Sequence, residues 1–306
     1  MISSSNNKKN NFKKEKMSRG DLIFYCGLVA WPVIYFVVFY LGTNINAISL
    51  AFKDYDVLNN RVKFVGLENF KRIFVNFSGS ADIIIALKNS LIAYSVGLVV
   101  GLTLSLLFAY YIYKKIYFHN FFKIILFLPS MISSMSLVVI FTYAVEWLLP
   151  GYVPSLKGLL SDPNTQFPVL LFFSIWVGFG PQMLIYIGAF SNIPIEVIEA
   201  GKIDGISPFR EFWSIGLPLI YPTLSTFITV GIVGIFTNQL YLVEFFGSGA
   251  DNRVETLGYF LFSSTLVATE SEYPYLSAMG LLMTCVAAPV TFLARWLLKK
   301  YGPSVE

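Results

Sequence analysis

Charge is what this 306-residue chain has least of: Asp, Glu, Lys and Arg make up 13% of it, about half the roughly 25% of a water-soluble domain. With 56% hydrophobic residues and a mean hydropathy of +0.66, that deficit excludes an ordinary soluble domain and implies an integral membrane protein. Histidine is nearly absent, His119 being the single one, and the two cysteines, Cys26 and Cys285, form no Cys-x-x-Cys pair. Zinc and haem chemistry are therefore not expected, and no cofactor is. Both cysteines lie in apolar stretches and read as small buried hydrophobes rather than as a disulfide. No Gly-x-x-x-x-Gly-Lys-Ser/Thr phosphate loop occurs, so the chain itself is not expected to bind or hydrolyse ATP. One histidine and scattered carboxylates offer no catalytic group, which argues against an enzyme. The formal charge of +4 is explained by membrane topology without a nucleic-acid partner.

What the chain has instead is long apolar runs. A membrane span needs about 20 mainly apolar residues, because a helix rises about 1.5 Å per residue across about 30 Å of hydrocarbon. Six segments qualify, at 22–43, 86–112, 121–147, 167–190, 215–243 and 275–298, predicting an all-α polytopic protein with six transmembrane helices. The basic stretch from Lys8 to Arg19 precedes a run too long for a signal peptide and without a small-residue cleavage site, so that run reads as the first span. Placing both termini in the cytoplasm gathers most of the 22 Lys and Arg there, Lys114, Lys115, Lys202, Arg210, Arg295 and Lys299 among them, as the positive-inside rule requires. Residues 1–19, rich in Ser, Asn and Lys, read as a disordered cytoplasmic tail. The six-helix transmembrane domain runs over 20–306, with a long external loop at 44–85 and a polar cytoplasmic loop at 191–214.

The 191–214 loop carries the most specific pattern. Pro194 suits the start of a short helix, Glu196 complements its dipole, and Ile195, Ile198, Ala200 and Ile203 give it an apolar face with Glu199 and Lys202 elsewhere. Gly205 reads as its stop, and Ser207-Pro208 as the N-cap and first position of a second helix. Glu199, Ala200, Asp204, Gly205, Phe212, Ile215, Leu217 and Pro218 match without insertion a pattern of Glu-Ala-Ala, two free positions, Asp-Gly-Ala, five free, Phe, two free, Ile, one free, Leu-Pro. The chain thus resembles the permease subunits of ATP-binding-cassette (ABC) importers, specifically the binding-protein-dependent carbohydrate (maltose-type) family with its EAA coupling loop. It departs from the pattern at Gly201 and Ile206, where the family has Ala. Phe64-Val65-Gly66-Leu67-Glu68-Asn69-Phe70 and the run Val254-Glu255-Thr256-Leu257-Gly258-Tyr259 are similar to external stretches of the same family, with Val254 in place of a small polar residue.

The resemblance implies a type I ABC importer permease fold that works by alternating access in the cytoplasmic membrane. It implies four kinds of partner: a second homologous permease giving a heterodimer, two separate ABC ATPase subunits, an extracytoplasmic solute-binding protein and a sugar, all within membrane lipid. ATPase coupling would fall to Glu199, which pairs with a basic group of the motor, to Ala200 and Gly201, which allow close approach, and to Asp204 and Gly205, which shape the turn. Polar groups inside spans mark a path or a helix contact. Asn238, Gly178, Gln182, Gln239 and Tyr241 are the path candidates, Asn238 and Gly178 by resemblance, since amides and rings suit hydroxyls and pyranose faces. For Gln182, Gln239 and Tyr241, helix–helix hydrogen bonding is an equal reading. A secondary ion-coupled transporter, or an ABC permease for a polyol or glycerol phosphate, are the alternatives.

Overall fold

The computed structural model describes residues 18–56, 61–79, 81–154 and 157–303; the tail assigned to 1–19 therefore lies almost wholly outside the described residues. The chain divides into two units, residues 1–49 and 50–306. As described, the first is one helix, the bulk of α1 (Gly20–Ala51). Its start is fixed by Ser18, whose Oγ accepts from the Gly20 amide at 3.3 Å while the Asp21 carboxylate accepts from the Ser18 amide at 3.2 Å, a reciprocal cap. Among the described residues of this first unit, none has a buried side chain. α1 outlasts the apolar run ending at 43 because Thr43 and Asn44 donate back to carbonyls of the preceding turn, Asn44 to Tyr40 at 2.7 Å and Thr43 to Phe39. Polar side chains satisfied in this way do not end a helix in an apolar medium.

The second unit begins with a small antiparallel hairpin, β1 (Lys53–Asp56) and β2 (Arg61–Phe64), paired Lys53 to Phe64 and Asp56 to Arg61. It is followed by α2 (Glu68–Gly79). The Phe64–Phe70 stretch is the fastener of this region. Gly66 takes φ +61°, the Val65 and Gly66 amides donate to Phe52 O, and buried Asn69 donates to Ala51 O at 3.0 Å and Lys53 O at 2.6 Å. The 44–85 stretch is thus largely folded.

The remaining elements are α3 (Ala81–Tyr113), α4 (His119–Met131), α5 (Ser134–Tyr152), α6 (Gln166–Ser191), α7 (Ile195–Ile203), α8 (residues 208–237), α9 (Leu242–Phe246), α10 (Leu257–Val267) and α11 (Tyr273–Tyr301). Among the described residues, six helical segments are long and apolar enough to cross a membrane, the number the sequence predicts, although the third is Ser134–Tyr152 rather than 121–147, and two of the predicted spans are broken. The third divides at Ile132–Ser133, where Ile132 is extended (φ −85°, ψ 143°) after Pro129; Ser130 Oγ recaptures Phe127 O at 2.7 Å. The fifth breaks after Thr237. α10, at 11 residues, is too short to register as a span. α3 packs along α6, α6 along α4, and α8 along α11. The central core joins Leu106, Ala109 and Ile112 of α3 to Met183, Tyr186 and Phe190 of α6 and Phe212 and Ile220 of α8. Gly180 makes the α4–α6 contact possible: a Cβ there would lie 2.5 Å from Leu126 O. Small residues are how membrane helices reach such distances. Cys26 and Cys285 are unpaired but exposed on the protomer, not buried.

Candidate functional site

At the end of the bundle where α6 gives way to α8, α7 runs from Ile195, with Pro194 one position earlier than predicted, as the N-cap. Its C-terminus closes as the sequence predicts. Gly205 has φ +72°, its amide donates to Lys202 O at 3.1 Å, and the Ile206 amide donates to Gly201 O at 3.0 Å. These paired bonds satisfy the last carbonyls with a left-handed glycine. Ser207 then caps α8 through its Oγ, which accepts from the Arg210 amide at 3.4 Å, with Pro208 at the first turn.

The buried face of α7 differs from the predicted one. Of Ile195, Ile198, Ala200 and Ile203 only Ile198 is buried, and Ile203 is 87% exposed. The inward residues are Ile198 and Gly201. Gly201, expected to let a motor approach, instead faces the chain's own core: a Cβ at 201 would sit 3.0 Å from Ile215 Cδ1 and 3.6 Å from Ile206 Cδ1. The two departures from the family pattern therefore face each other, the volume lost at 201 being taken up by the larger side chain at 206. Glu199, Ala200, Lys202, Asp204 and Gly205 are exposed, and among the described residues no cation lies within ion-pairing distance of Glu199. Around them Ile203, Phe209 and Trp213 present exposed apolar surface. The result is a capped helical knob with an exposed acidic group and exposed apolar side chains.

Within the bundle, Gln182 and Asn238 line one cavity of about 200 Å³, together with Ser90, Tyr94, Gly97 and Leu98 of α3 and Phe227, Gly231 and Gly234 of α8. The other three path candidates do not line it. Gly178 is exposed with nothing within 4 Å of a would-be Cβ, Tyr241 packs edge-on against Phe173 at 5.2 Å, and the Gln239 carbonyl accepts from the Leu242 amide. Ser90 and Tyr94 are cavity residues that sequence reasoning missed. Their signal was Gly231, whose missing Cβ would lie 2.8 Å from the Tyr94 ring, but it joins residues far apart in the chain. The Gln182 Oε1 accepts from Ser105 Oγ at 3.3 Å, so the helix–helix reading holds for it as well.

The break in the fifth span lies at the cavity wall. Asn238 is extended (φ −71°, ψ 127°), and Leu240 and Tyr241 follow at φ 49° and 59°, a conformation that costs on the order of 1–3 kcal/mol per residue. Neighbouring groups hold it. Asn238 Oδ1 accepts from the Leu240 amide at 2.9 Å and Asn238 O from Thr256 Oγ1 at 2.6 Å. Gly258 abuts the break so closely that a Cβ would meet Thr237 O at 2.6 Å. Asn89 donates to Arg253 O and Glu255 O, both at 2.9 Å, and Ser90 Oγ accepts from the Leu257 amide. The Val254–Tyr259 run is therefore the clamp of the break. Val254 is fully buried, with Leu240, Leu242 and Tyr259, which explains an apolar residue there.

Glu255 is the buried acid of this clamp. Burial, with the Asp82 and Asp251 carboxylates adding repulsion, raises its pKa above the usual carboxylate value. An acid whose folded pKa is raised stabilises most below its unfolded pKa, and that contribution is lost as pH rises through the folded value. Glu255→Gln is accordingly expected to raise the thermal midpoint by a few degrees at pH 7.5, with the gain vanishing towards pH 4.5. Thermal unfolding of the purified protein across that range checks this; an equal shift at both ends would contradict it.

Comparison with known proteins bears on the family and the fold. Residues 83–306 match the family described as "Binding-protein-dependent transport system inner membrane component". The chain is 24% identical over 277 residues to the multiple sugar-binding transport system permease protein MsmF of Streptococcus mutans, covering 88% of this chain and 93% of that one. It is 31% identical over 225 residues to the probable starch degradation products transport system permease protein AmyD of Thermoanaerobacterium thermosulfurigenes, covering 71% and 75%. Its fold matches a chain of a bacterial ABC transporter that imports the acidic polysaccharide alginate, with a TM-score of 0.76 at 19% identity, over 92% of this chain and 96% of that one.

Proposed function

This chain belongs to the binding-protein-dependent transport system inner membrane components, the permease subunits of ABC importers, and from that premise we propose that it carries a sugar or oligosaccharide across the membrane by alternating access. The observation that carries the substrate class is the convergence of Gln182, Asn238 and the Tyr94 ring on one cavity beside a broken helix. Two amides supply donors and acceptors for hydroxyls, and a ring supplies a face for a pyranose. No Lys or Arg lines that cavity, which disfavours glycerol phosphate.

The α7 knob is the seat of an ABC ATPase subunit, with Glu199 offered to a cation of the motor and Ala200 leaving room for its wall. Asp204 and Gly205 keep the turn in shape, and Gly201 seats the helix from within. This reading places α7 and both termini in the cytoplasm, makes 20–306 one permease domain, and sets the hairpin and α2 on the outer side beneath a solute-binding protein. A cleft of about 690 Å³ there is lined by Lys71, Arg72, Asn76 and Tyr275, side chains suited to a polar protein surface. One copy forms half a pathway, which a second, homologous permease completes, with two ATPase subunits below.

The test is uptake of labelled saccharides by the complete importer in proteoliposomes. Asn238→Ala and Gln182→Ala are each expected to raise KM about tenfold, the worth of one lost hydrogen bond to a neutral group, while ATPase assembly is kept. Transport driven by an ion gradient without ATP, or unchanged KM in both variants, would sink the proposal.

A further inference from the structure

The α7–α8 loop is covalently continuous with α6 and α8, yet most of the cavity wall belongs to α3, through Ser90, Tyr94, Gly97, Leu98 and Leu102. Opening the cavity by moving the loop requires that α3 receive part of the motion. A connection exists at the other end of α3. Lys114 Nζ, at its C-terminus, donates to both carboxylate oxygens of Glu211 in the first turn of α8, at 2.6 and 2.8 Å. Their side chains are only 19% and 6% exposed. Beside them Tyr110 of α3 donates from its hydroxyl to Pro208 O at 2.9 Å, and its ring packs edge-on against Phe212 at 5.0 Å and Phe190 at 5.5 Å. A buried ion pair is a poor device for stability, since desolvation cancels most of the attraction, but it fixes one relative placement of two elements and is costly to separate. Immediately after Glu211, residues Phe212–Gly216 form a π-helical turn, an irregularity common at functional sites and one at which helices kink.

We propose that the Lys114–Glu211 pair is a strut that carries motion of the α7–α8 loop into α3, making Lys114 and Glu211 positioning residues for coupled transport. The strut rests on the reading that an ATPase drives α7. Upstream, the capped α7 moves as one body with Ile206 and Ile215; downstream, the strut and the Tyr110 hydrogen bond convert that displacement into a pull on the C-terminal end of α3. The π-helical turn lets the first turn of α8, which bears Glu211, shift relative to the rest of that helix.

The experiment uses the complete importer and measures three quantities: ATPase subunit co-purified, ATP hydrolysed, and solute moved per ATP. In Lys114→Met/Glu211→Met, apolar side chains of similar length preserve packing, so assembly and hydrolysis are expected to persist while solute per ATP falls at least about fivefold, the lower end of coupling between sites. The charge exchange Lys114→Glu/Glu211→Lys is expected to restore more than half of the native ratio. An uncharged pair that couples normally would overturn the strut, as would an exchanged pair that assembles but stays as uncoupled as the Met variant. If the native permease fails to retain an ATPase subunit through α7, the docking reading itself fails, and the co-purification arm reports that separately.

Discussion

Glu199→Lys is expected to lower ATP-driven uptake by about a hundredfold or more, with membrane insertion and thermal stability unchanged. The two halves of that expectation come from different parts of the structure. Stability is spared because Glu199 is exposed and has no ion-pair partner among the described residues, and surface changes away from special features fall within about 0.5 kcal/mol. Uptake is lost because the substitution removes an acidic group from the outer side of the knob and sets a second cation three positions from Lys202 on the same helix. A hundredfold loss corresponds to about 2.7 kcal/mol. That is within reach when one charge of an interfacial pair is reversed, since truncating one already costs about 2–5 kcal/mol. Insertion is checked by detergent-extractable yield, docking by co-purification of the ATPase, and transport by uptake. Uptake within twofold of native, with the ATPase retained, would remove Glu199 from the coupling surface.

Gly180→Val is expected to abolish folded protein. The first side-chain carbon at 180 would overlap the Leu126 carbonyl at 2.5 Å and press Phe127 Cα at 3.2 Å, and neither obstacle is the movable end of a side chain. The only relief is separation of α4 from α6. Gly180→Ala, the mildest probe, is expected to cost about 3 kcal/mol, the upper range for overpacking a tight core. Gly188→Ala on the same helix has open space around the new methyl and serves as the neutral comparison. Thermal unfolding in detergent separates the two alanine variants, and equal midpoints would show that the α4–α6 contact yields freely.

The spans were legible because twenty apolar residues in a row have few other uses, and the loop between α6 and α8 was legible because Pro194, Gly205, Ser207 and Pro208 punctuate it with residues of narrow conformational meaning. The break at Asn238 was not legible. Asn-Gln-Leu-Tyr contains no helix breaker, and the distortion is imposed from outside by Thr256, Gly258 and the α10 entry. The inward face of α7 was ambiguous for a related reason: nine residues with isoleucines on several sides do not define one apolar stripe, and the position that packs is a glycine, which has no hydrophobicity to read. Gln182 was found from its polarity inside a span and Asn238 from that and its match to the family, but Tyr94 and the Lys114–Glu211 pair depend on contacts about a hundred or more positions apart. Gly178 was placed in the path by resemblance and Gln239 and Tyr241 for their polarity; in the structure Tyr241 packs on Phe173 and Gln239 accepts from the Leu242 amide at the break.

The exchange of bulk between positions 201 and 206 has a consequence for how such permeases diverge. Restoring alanine at only one of the two would leave either a crowded seat or a hollow one, so neither substitution is a neutral step by itself. The pair must travel together, by near-simultaneous change or through an intermediate tolerated while Ile215 adjusts. Chimeras that graft this loop onto a relative should therefore be cut outside both positions, keeping donor and acceptor of the missing volume on one fragment.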